Sequence, residues 1–237
     1  MAAQEDAAPV LLLGWREFAV NCSRGELKIA GKPLLVDEVA NTGEGTGLVV
    51  WDGSIVLAKY VEHAVPLSPQ ARVLELGCGT GVVGLASAAL GAGAVYLTDL
   101  DYALGNARDN AARNEHLTER VQVFALDWTA EELDPRAVEH GNLTHILAAD
   151  VIWVPELVIP FADTLARIES ANPHIEHILL AHQTRAIRTD EILWAELKAR
   201  SFQIQEISVQ DFHPEFQSKR IKIYRLTRKS TTCNEAS

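Results

Sequence analysis

The sequence contains few cysteines, with three residues at positions 22, 78 and 233 in a chain of 237. They form no C-x-x-C pair, so the sequence indicates neither a disulfide framework nor a zinc site. This usage is typical of a reducing compartment. We therefore expect a cytoplasmic protein, and nothing in the sequence separates the cytoplasm from the nucleus. No apolar run approaches the roughly 20 residues that span a bilayer, and there is no positively charged leader, so neither membrane association nor secretion is predicted.

Positive charge is also scarce. The chain has 21 Lys and Arg residues against 32 Asp and Glu, which gives a formal net charge of −11. A nucleic-acid binder needs clustered Lys and Arg for phosphate contacts, so this balance argues against one. It suits a basic protein partner or a cationic substrate, and serves plain solubility equally well. The length and the apolar fraction of 48% fit one soluble domain, which we expect to be monomeric.

The first part of the chain alternates short β-like segments with turn signals such as Ser23-Arg24-Gly25. Strands are predicted there over residues 17–21, 26–29 and 34–36, so residues 1–47 are interpreted as an N-terminal β extension. Residues 48–229 are interpreted as the main domain, which opens with an amphipathic helix over residues 49–63. The polar tail, residues 230–237, lacks periodicity and is predicted to be disordered.

From residue 72 onward, apolar strands alternate with amphipathic helices, which predicts a parallel sheet covered by helices on both faces. Strands are predicted over residues 73–76, 94–97, 121–125, 146–149 and 178–181, and helices over 81–90, 103–114, 156–169 and 189–200. The last two strands, 202–209 and 221–227, have no helix between them, so we expect an antiparallel pair. The predicted fold is α/β and Rossmann-like, with seven mostly parallel strands and a C-terminal antiparallel hairpin, as in class I methyltransferases.

A glycine-rich turn joins the first strand of this sheet to its helix. Without Cβ atoms, Gly77, Gly79 and Gly81 let the backbone approach a ligand and open a helix N-terminus toward it. Cys78, between the first two glycines, is interpreted as a small filler of the loop. Asp99 ends the next strand, where a carboxylate can bind the ribose hydroxyls of a nucleotide.

These residues leave two cofactors open, because Gly79 to Gly84 also match the G-x-G-x-x-G fingerprint of dinucleotide-binding proteins. Three features favour S-adenosylmethionine. Glu75, just before the first glycine, suits a cationic methionine group and would sit badly beside a pyrophosphate. The chain is short for a separate hydride-acceptor domain. A parallel sheet that ends in an antiparallel hairpin is also unlike the sheet of a dinucleotide-binding dehydrogenase. We therefore predict S-adenosylmethionine as the cofactor, and a dehydrogenase remains the less favoured alternative.

Two further segments contain tryptophan. Asp127 and Trp128 directly follow the third strand of the predicted sheet. There a carboxylate can accept the adenine amino group while the indole covers the ring, although a surface Asp beside a core Trp would give the same pattern. Trp51 stands at the head of the first long helix, where a lone tryptophan is more often a packing residue than a ligand contact.

The fourth strand ends in Ala149-Asp150, and its residues before Asp150 are almost wholly apolar. The Asp150 carboxylate is therefore expected to face the crevice at the end of the sheet. Trp153 follows and is a candidate wall of an acceptor pocket. His174 and His177 are spaced like a metal pair, but the sequence offers no evident third ligand. We interpret both as surface residues and predict no metal site.

Together these residues resemble family 16 of the seven-strand methyltransferases, the lysine methyltransferases that act on intact proteins and include the methyltransferase-like 21 group. The resemblance extends from about residue 45 to residue 227. It is carried by Val50-Trp51-Asp52-Gly53, Glu75-Leu76-Gly77 with Gly79 and Gly81, Thr98-Asp99-Leu100, Asp127-Trp128, and Ala149-Asp150-Val151-Ile152-Trp153. The last of these is similar to the family's D-x-x-Y/F motif. The first helix and His213-Pro214-Glu215-Phe216 are most similar to the subgroup that methylates valosin-containing protein.

The resemblance implies a protein substrate that presents a lysine. It implies a cofactor site lined by Trp51, Glu75, Gly77, Asp99, Trp128 and Ala149, with Asp150 and Trp153 beside the acceptor. Trp153 stands where the family usually has Tyr or Phe, which leaves the pocket width and the substrate open. We hypothesise that Asp150 orients the amine and that Trp153 desolvates it with a cation–π contact. The alternatives are methylation of an Arg, a His or a small metabolite, and a cofactor-binding module without catalysis.

Overall fold

The computed structural model describes residues 16–40, 43, 45–138 and 142–228. The predicted disordered tail, residues 230–237, lies outside the described residues. The strands are β1 Lys28–Ile29, β2 Lys32–Pro33, β3 Arg72–Leu76, β4 Ala94–Asp99, β5 Val121–Ala125, β6 His145–Ala149, β7 His177–Gln183, β8 Phe202–Glu206 and β9 Ile221–Arg228. The helices are α1 Asp52–Ala64, α2 Val82–Ala89, α3 Asp101–Arg113, α4 Pro135–Val138, α5 Val158–Ala171 and α6 Ile187–Ala199.

Seven of the strands form one sheet in the order β5-β4-β3-β6-β7-β9-β8. Strands β3 to β7 are mutually parallel, and β9 is antiparallel to both β7 and β8. This confirms the predicted α/β class and the antiparallel pairing at the end. The chain order reverses beside β3, whose neighbours are β4 and β6. In open α/β sheets a ligand crevice forms at such a switch point, outside the carboxyl ends of the strands.

The core lies in two layers, one on each face of the sheet. Alternate strand residues supply them: Val73 belongs to the cluster beneath α1 and α2, whereas Leu74 belongs to the cluster beneath α5 and α6. The side chains of Val73 and Leu74 are both fully buried, because helices cover both faces of a parallel sheet. Among the described residues, no helix has both the length and the apolar composition needed to cross a membrane.

The N-terminal segment differs from the prediction of three strands. Residues 17–21 form no strand, and the regular pairing is limited to the two-residue strands β1 and β2. The backbone N–H and C=O of Leu35 bond to the side chain of Asn114, and those of Asp37 bond to the side chain of Asn110. Side chains on and after α3 therefore satisfy backbone groups that the β-like sequence pattern assigns to a ladder.

Candidate active site

A cavity of about 260 Å³ opens at the carboxyl edge of the sheet, above β3, β4, β5 and β6. All of the residues predicted for the site line it except Gly81. The predicted residues on its walls are Trp51, Glu75, Gly77, Cys78, Gly79, Asp99, Asp127, Trp128, Ala149, Asp150 and Trp153. The carboxyl ends of parallel strands meet at one edge, so motifs that lie far apart in sequence, from Glu75 to Trp153, come together here.

The glycine turn forms the floor of the cavity. Gly77 and Gly79 have φ angles of +64° and +52°, the left-handed region that side chains disfavour. A Cβ at Gly77 would lie 2.7 Å from a methyl of Val151, and one at Gly79 would lie 2.8 Å from the carbonyl oxygen of Gly47. Both positions therefore need glycine to keep the floor low enough for a ligand.

Gly81 and Cys78 differ in their relation to the cavity. Gly81 is buried outside the lining, and it precedes the first residue of α2 with φ +85°. Gly81 starts the turn of this helix, and its expected ligand contact stays a prediction. Cys78 lies on the wall, and burial raises the pKa of its thiol well above the usual range, which keeps it protonated. The interpretation of this thiol as a space filler in the loop stays a prediction.

Glu75 lies at the bottom of the cavity and is only 2% exposed. Its Oε2 accepts the backbone N–H of Gly84 at 2.7 Å, in the first turn of α2. Burial raises its pKa to about 8, and the hydrogen bond from Gly84 opposes that shift. A cation placed beside this carboxyl group lowers its pKa and favours the ionised form.

Asp99 fastens the glycine turn to β4. Its Oδ2 accepts the N–H of Gly79 at 2.7 Å, and its Oδ1 accepts the N–H of Leu100 at the same distance. Burial raises the pKa of the carboxyl, whereas these two N–H groups lower it. Each carboxylate oxygen can accept a further hydrogen bond, so Asp99 can also receive vicinal hydroxyl groups from the cavity.

Asp127 and Trp128 form the wall next to β5. The Oδ1 of Asp127 accepts both the N–H and the hydroxyl of Thr129, which fixes its exposed carboxylate at the rim. Trp128 packs edge-on against Phe161, with 5.3 Å between ring centroids. Its indole Nε1 is buried without a hydrogen-bond partner. The two residues thus offer an acceptor beside an apolar face, which suits an adenine ring.

One part of the wall was missed by the sequence analysis, and it comes from residues 45–47. The Thr46 carbonyl accepts the indole N–H of Trp51 at 3.0 Å, and the Tyr102 hydroxyl accepts the N–H of Gly47 at 3.1 Å. A Cβ at Gly45 would overlap the Tyr102 ring at 2.3 Å. The glycines around Thr46 were a signal of this close approach, but their partner Tyr102 is 55 residues away in sequence.

Asp150 follows β6 with φ +58°, a conformation that Asp tolerates better than most residues. Its side chain is 3% exposed and accepts the N–H of Gln183 and a guanidinium N–H of Arg185, both at 3.1 Å. Burial raises its pKa, and the positive charge of Arg185 opposes that shift. A Cβ at Gly53 would lie 2.9 Å from its carboxylate, so α1 needs glycine there.

Arg185 is a further residue that sequence reasoning missed. Besides contacting Asp150, its guanidinium lies 4.9 Å from the centre of the Trp51 ring. The side chain is 31% exposed, and Trp153, at the cavity rim, is 44% exposed. This side of the cavity therefore holds a cation between a carboxylate and an indole, at the border with solvent. No local sequence signal separates Arg185 from other surface arginines.

The residues that line the cavity fit S-adenosylmethionine. Because the floor has no Cβ atoms, a ligand has room to lie against the backbone of the glycine turn. Asp99 can accept hydrogen bonds from hydroxyl groups, and the Glu75 carboxyl suits a cation. The indole of Trp128 provides an apolar face for the base. A dinucleotide would instead place its pyrophosphate at the glycine turn, beside Glu75, whose ionised carboxylate would repel it.

Comparison with known proteins agrees with this assignment. A family model described as lysine methyltransferase matches residues 31–199. The protein N-lysine methyltransferase METTL21A of Danio rerio is 34% identical over 71% of this chain and 76% of its own length. The EEF1A lysine methyltransferase 3 of Mus musculus is 31% identical over 74% and 72%. The finer resemblance, to the subgroup that methylates valosin-containing protein, stays a prediction.

Solved structures support the fold alone. The METTL16 methyltransferase domain superposes with a TM-score of 0.54 at 13% identity, over 82% of this chain and 73% of its own. A TehB-like S-adenosylmethionine-dependent methyltransferase of Corynebacterium glutamicum has the same TM-score at 16% identity, over 77% and 90%. With the family model matching most of the chain, the protein belongs to the lysine methyltransferase family and uses S-adenosylmethionine as its methyl donor.

Proposed function

We propose that the protein transfers a methyl group to the side-chain amine of a lysine in a protein substrate, with Asp150 as the group that receives the amine. The observation that carries this proposal is the Arg185 contact: a buried carboxylate at the carboxyl edge of the sheet already binds a side-chain cation. Like that guanidinium, a lysine ammonium is positively charged and donates hydrogen bonds, so it can replace the guanidinium at Asp150.

The cofactor half of the cavity is proposed to use the residues of the glycine turn and β4. Asp99 would accept the ribose hydroxyls, and Glu75 would face the cationic methionine group. Asp127 and Trp128 would hold the adenine, and Trp51, Gly77, Gly79 and Ala149 would complete the walls. When bound, the cofactor supplies an electrophilic methyl group on a positively charged sulfur.

Asp150 is proposed to orient the acceptor and to hold its proton. A free lysine has a pKa of about 10.4, and only the neutral amine is a nucleophile. Burial raises the pKa of the Asp150 carboxyl, so Oδ2 is a better proton acceptor than an exposed aspartate. The Trp153 ring, at the rim, would attract the ammonium form of the lysine as it enters. Once the amine is inside, the ring would exclude water from it, which disfavours the charged form and lowers the pKa of the amine.

The net charge of −11 suits a substrate whose target lysine lies in a basic segment. Of the alternatives, methylation of an Arg, a His or a small metabolite would use the same donor site. These reactions differ in which product carries the transferred methyl group, and an inactive module would methylate no product at all.

The test is incubation of the purified protein with S-adenosylmethionine labelled in its methyl group and a cell extract, followed by mass spectrometry of labelled peptides. We expect label on lysine side chains of one protein or a few, and about 10²–10³-fold slower labelling with Asp150→Asn. Label only on arginine, histidine or a metabolite would contradict the proposed acceptor. No label above that of the extract without the added protein would contradict catalysis itself.

A further inference from the structure

Two histidines stand side by side at the opposite edge of the sheet, where β6 and β7 begin. His145 and His177 are directly paired in the register of these parallel strands. Their rings lie 5.1 Å apart between centroids, with an angle of 31° between planes. The sequence spacing pairs His177 with His174, whereas the fold pairs it with His145, 32 residues earlier.

Both rings present buried nitrogens without partners. His145 is 2% exposed, and its Nε2 has no hydrogen-bond partner. The Nδ1 of His177 is likewise buried and unpartnered. Buried polar atoms are nearly always satisfied, so two orphans on adjacent rings call for a ligand that the protein alone does not supply.

The neighbour of His145 permits the tautomer that metal binding requires. Its Nδ1 lies 2.7 Å from the hydroxyl of Thr144. That hydroxyl lies 3.2 Å from the carbonyl oxygen of Arg72, which can only accept. When the single hydroxyl proton goes to the carbonyl, Nδ1–H of His145 donates to Thr144 and Nε2 keeps a free lone pair. Metal-bound histidines are typically oriented in this way by a second hydrogen bond.

Glu176 adds a carboxylate to the pair. One ligand atom from each of His145, Glu176 and His177 lies within 4.8 Å of the other two. Glu176 is exposed, so the cluster opens to solvent and an ion can enter. Arg225 of β9 brings a positive charge near His177, and the Glu176 carboxylate offsets it. Two imidazoles and a carboxylate are a typical Zn²⁺ ligand set.

We propose that His145, His177 and Glu176 form a binding site for a divalent transition metal of the Zn²⁺ class, which links the starts of β6 and β7. The site is remote from the methyl-transfer cavity, at the other end of the same strands. Small side-chain rotations bring the ligand atoms to the roughly 2.0–2.2 Å that zinc requires. Solvent would supply the remaining ligands. The metal then stabilises the sheet and takes no part in methyl transfer.

The test uses Zn²⁺ alone as the probe, added to chelator-treated protein without an affinity tag and with Cys233→Ser, so that the terminal thiol cannot bind metal. Calorimetry should show one equivalent of Zn²⁺ bound. At 100-fold excess over the dissociation constant, Tm should rise by about 5 °C or more. Co²⁺ in place of Zn²⁺ should show no thiolate charge-transfer band. Absence of stoichiometric binding would overturn the proposal.

Three variants locate the ion. His177→Asn should weaken Zn²⁺ binding by at least about tenfold, and Glu176→Gln by a few-fold, because each removes one ligand. The matched control is His174→Asn, an exposed histidine three residues before His177, which should bind Zn²⁺ like the parent. Equal loss in His174→Asn, or parental affinity in His177→Asn, would refute the assignment. All variants should keep methyl transfer, so the outcome is independent of the proposed function.

Discussion

The two halves of the cavity hold their carboxylates by different means. In the donor half, formed by β3, β4 and β5, Glu75 and Asp99 are held by backbone N–H groups of the glycine turn and α2. In the acceptor half, beyond β6 and β7, Asp150 is held by one backbone N–H and by the side chain of Arg185. Backbone contacts persist as long as the fold does, whereas an arginine 31% exposed can be displaced.

This difference matches what each half has to bind. A cofactor is the same in every turnover, so a rigid preorganised donor half lowers the cost of binding it. A protein substrate arrives with its own lysine and has to displace whatever already occupies Asp150. The comparison predicts that changes in the donor half affect cofactor affinity and stability, whereas changes in the acceptor half affect turnover and substrate dependence.

The largest effect is expected from Asp150→Asn. Asn keeps the shape and tolerates the positive φ of this position, but it has no charge to receive an ammonium. Turnover with the labelled substrate should fall about 10²–10³-fold, the usual cost of removing one charge-stabilising group from an active site. Affinity for S-adenosylhomocysteine, measured by calorimetry, should stay within about threefold. A variant with parental turnover would remove Asp150 from the mechanism.

Much of this arrangement could be predicted from sequence, because the relevant signals are local. The roles of Gly77, Gly79 and the acid at the end of β4 could be predicted, because a ligand-binding strand–turn–helix unit has these residue types at these positions. The position of β9 between β7 and β8 could not be predicted from sequence, since it depends on pairing between distant strands. Arg185 on Asp150 and Tyr102 on Gly47 are likewise long-range contacts between ordinary residue types.

Glu75→Gln should change how stability depends on pH. The native pKa is raised to about 8, so between its ordinary value of 4.5 and 8 the native state binds more protons at this group than the unfolded state does. This group therefore lowers the free energy of unfolding as pH rises through that window. Burial lowers the pKa of His145 to about 4, which has the opposite sign, so the informative quantity is the difference between variants.

Urea unfolding at several pH values measures that difference. Relative to the parent, Glu75→Gln should gain stability as pH increases from about 5 to 8, by up to a few kcal/mol. The control is Glu131→Gln, an exposed carboxyl outside the cavity, which should follow the parent curve. Glutamine still accepts the Gly84 N–H, so the helix start is retained. Parallel curves for the parent and Glu75→Gln would show that Glu75 titrates normally.

Asp99→Ala should weaken cofactor binding with little effect on the acceptor half. It removes the acceptor of the Gly79 N–H and the proposed partner of the ribose hydroxyls. We expect about 10–100-fold lower affinity for S-adenosylhomocysteine, or about 1.4–2.8 kcal/mol. Asp101→Ala, which removes an exposed acid two residues later, is the matched control and should keep parental affinity. Equal affinities in the two variants would contradict the role of Asp99.

The smallest effect, and the one most specific to the comparison, is expected from Arg185→Met. Arg185 opposes the raising of the Asp150 pKa by burial, so its removal should raise that pKa further. The acid limb of kcat/KM for the labelled substrate should then move to higher pH. At pH values above that limb, the substrate lysine no longer has to displace a guanidinium, and KM should fall about twofold to fivefold.

Arg188→Met is the control for this variant, because Arg188 is an exposed arginine three residues later on the same segment. It should leave both the pH profile and KM unchanged. A merely structural role for Arg185 would lower stability and turnover at every pH without moving the acid limb. A rise in KM with Arg185→Met would show that the guanidinium helps to bind the substrate, and the acceptor half would then be as preformed as the donor half.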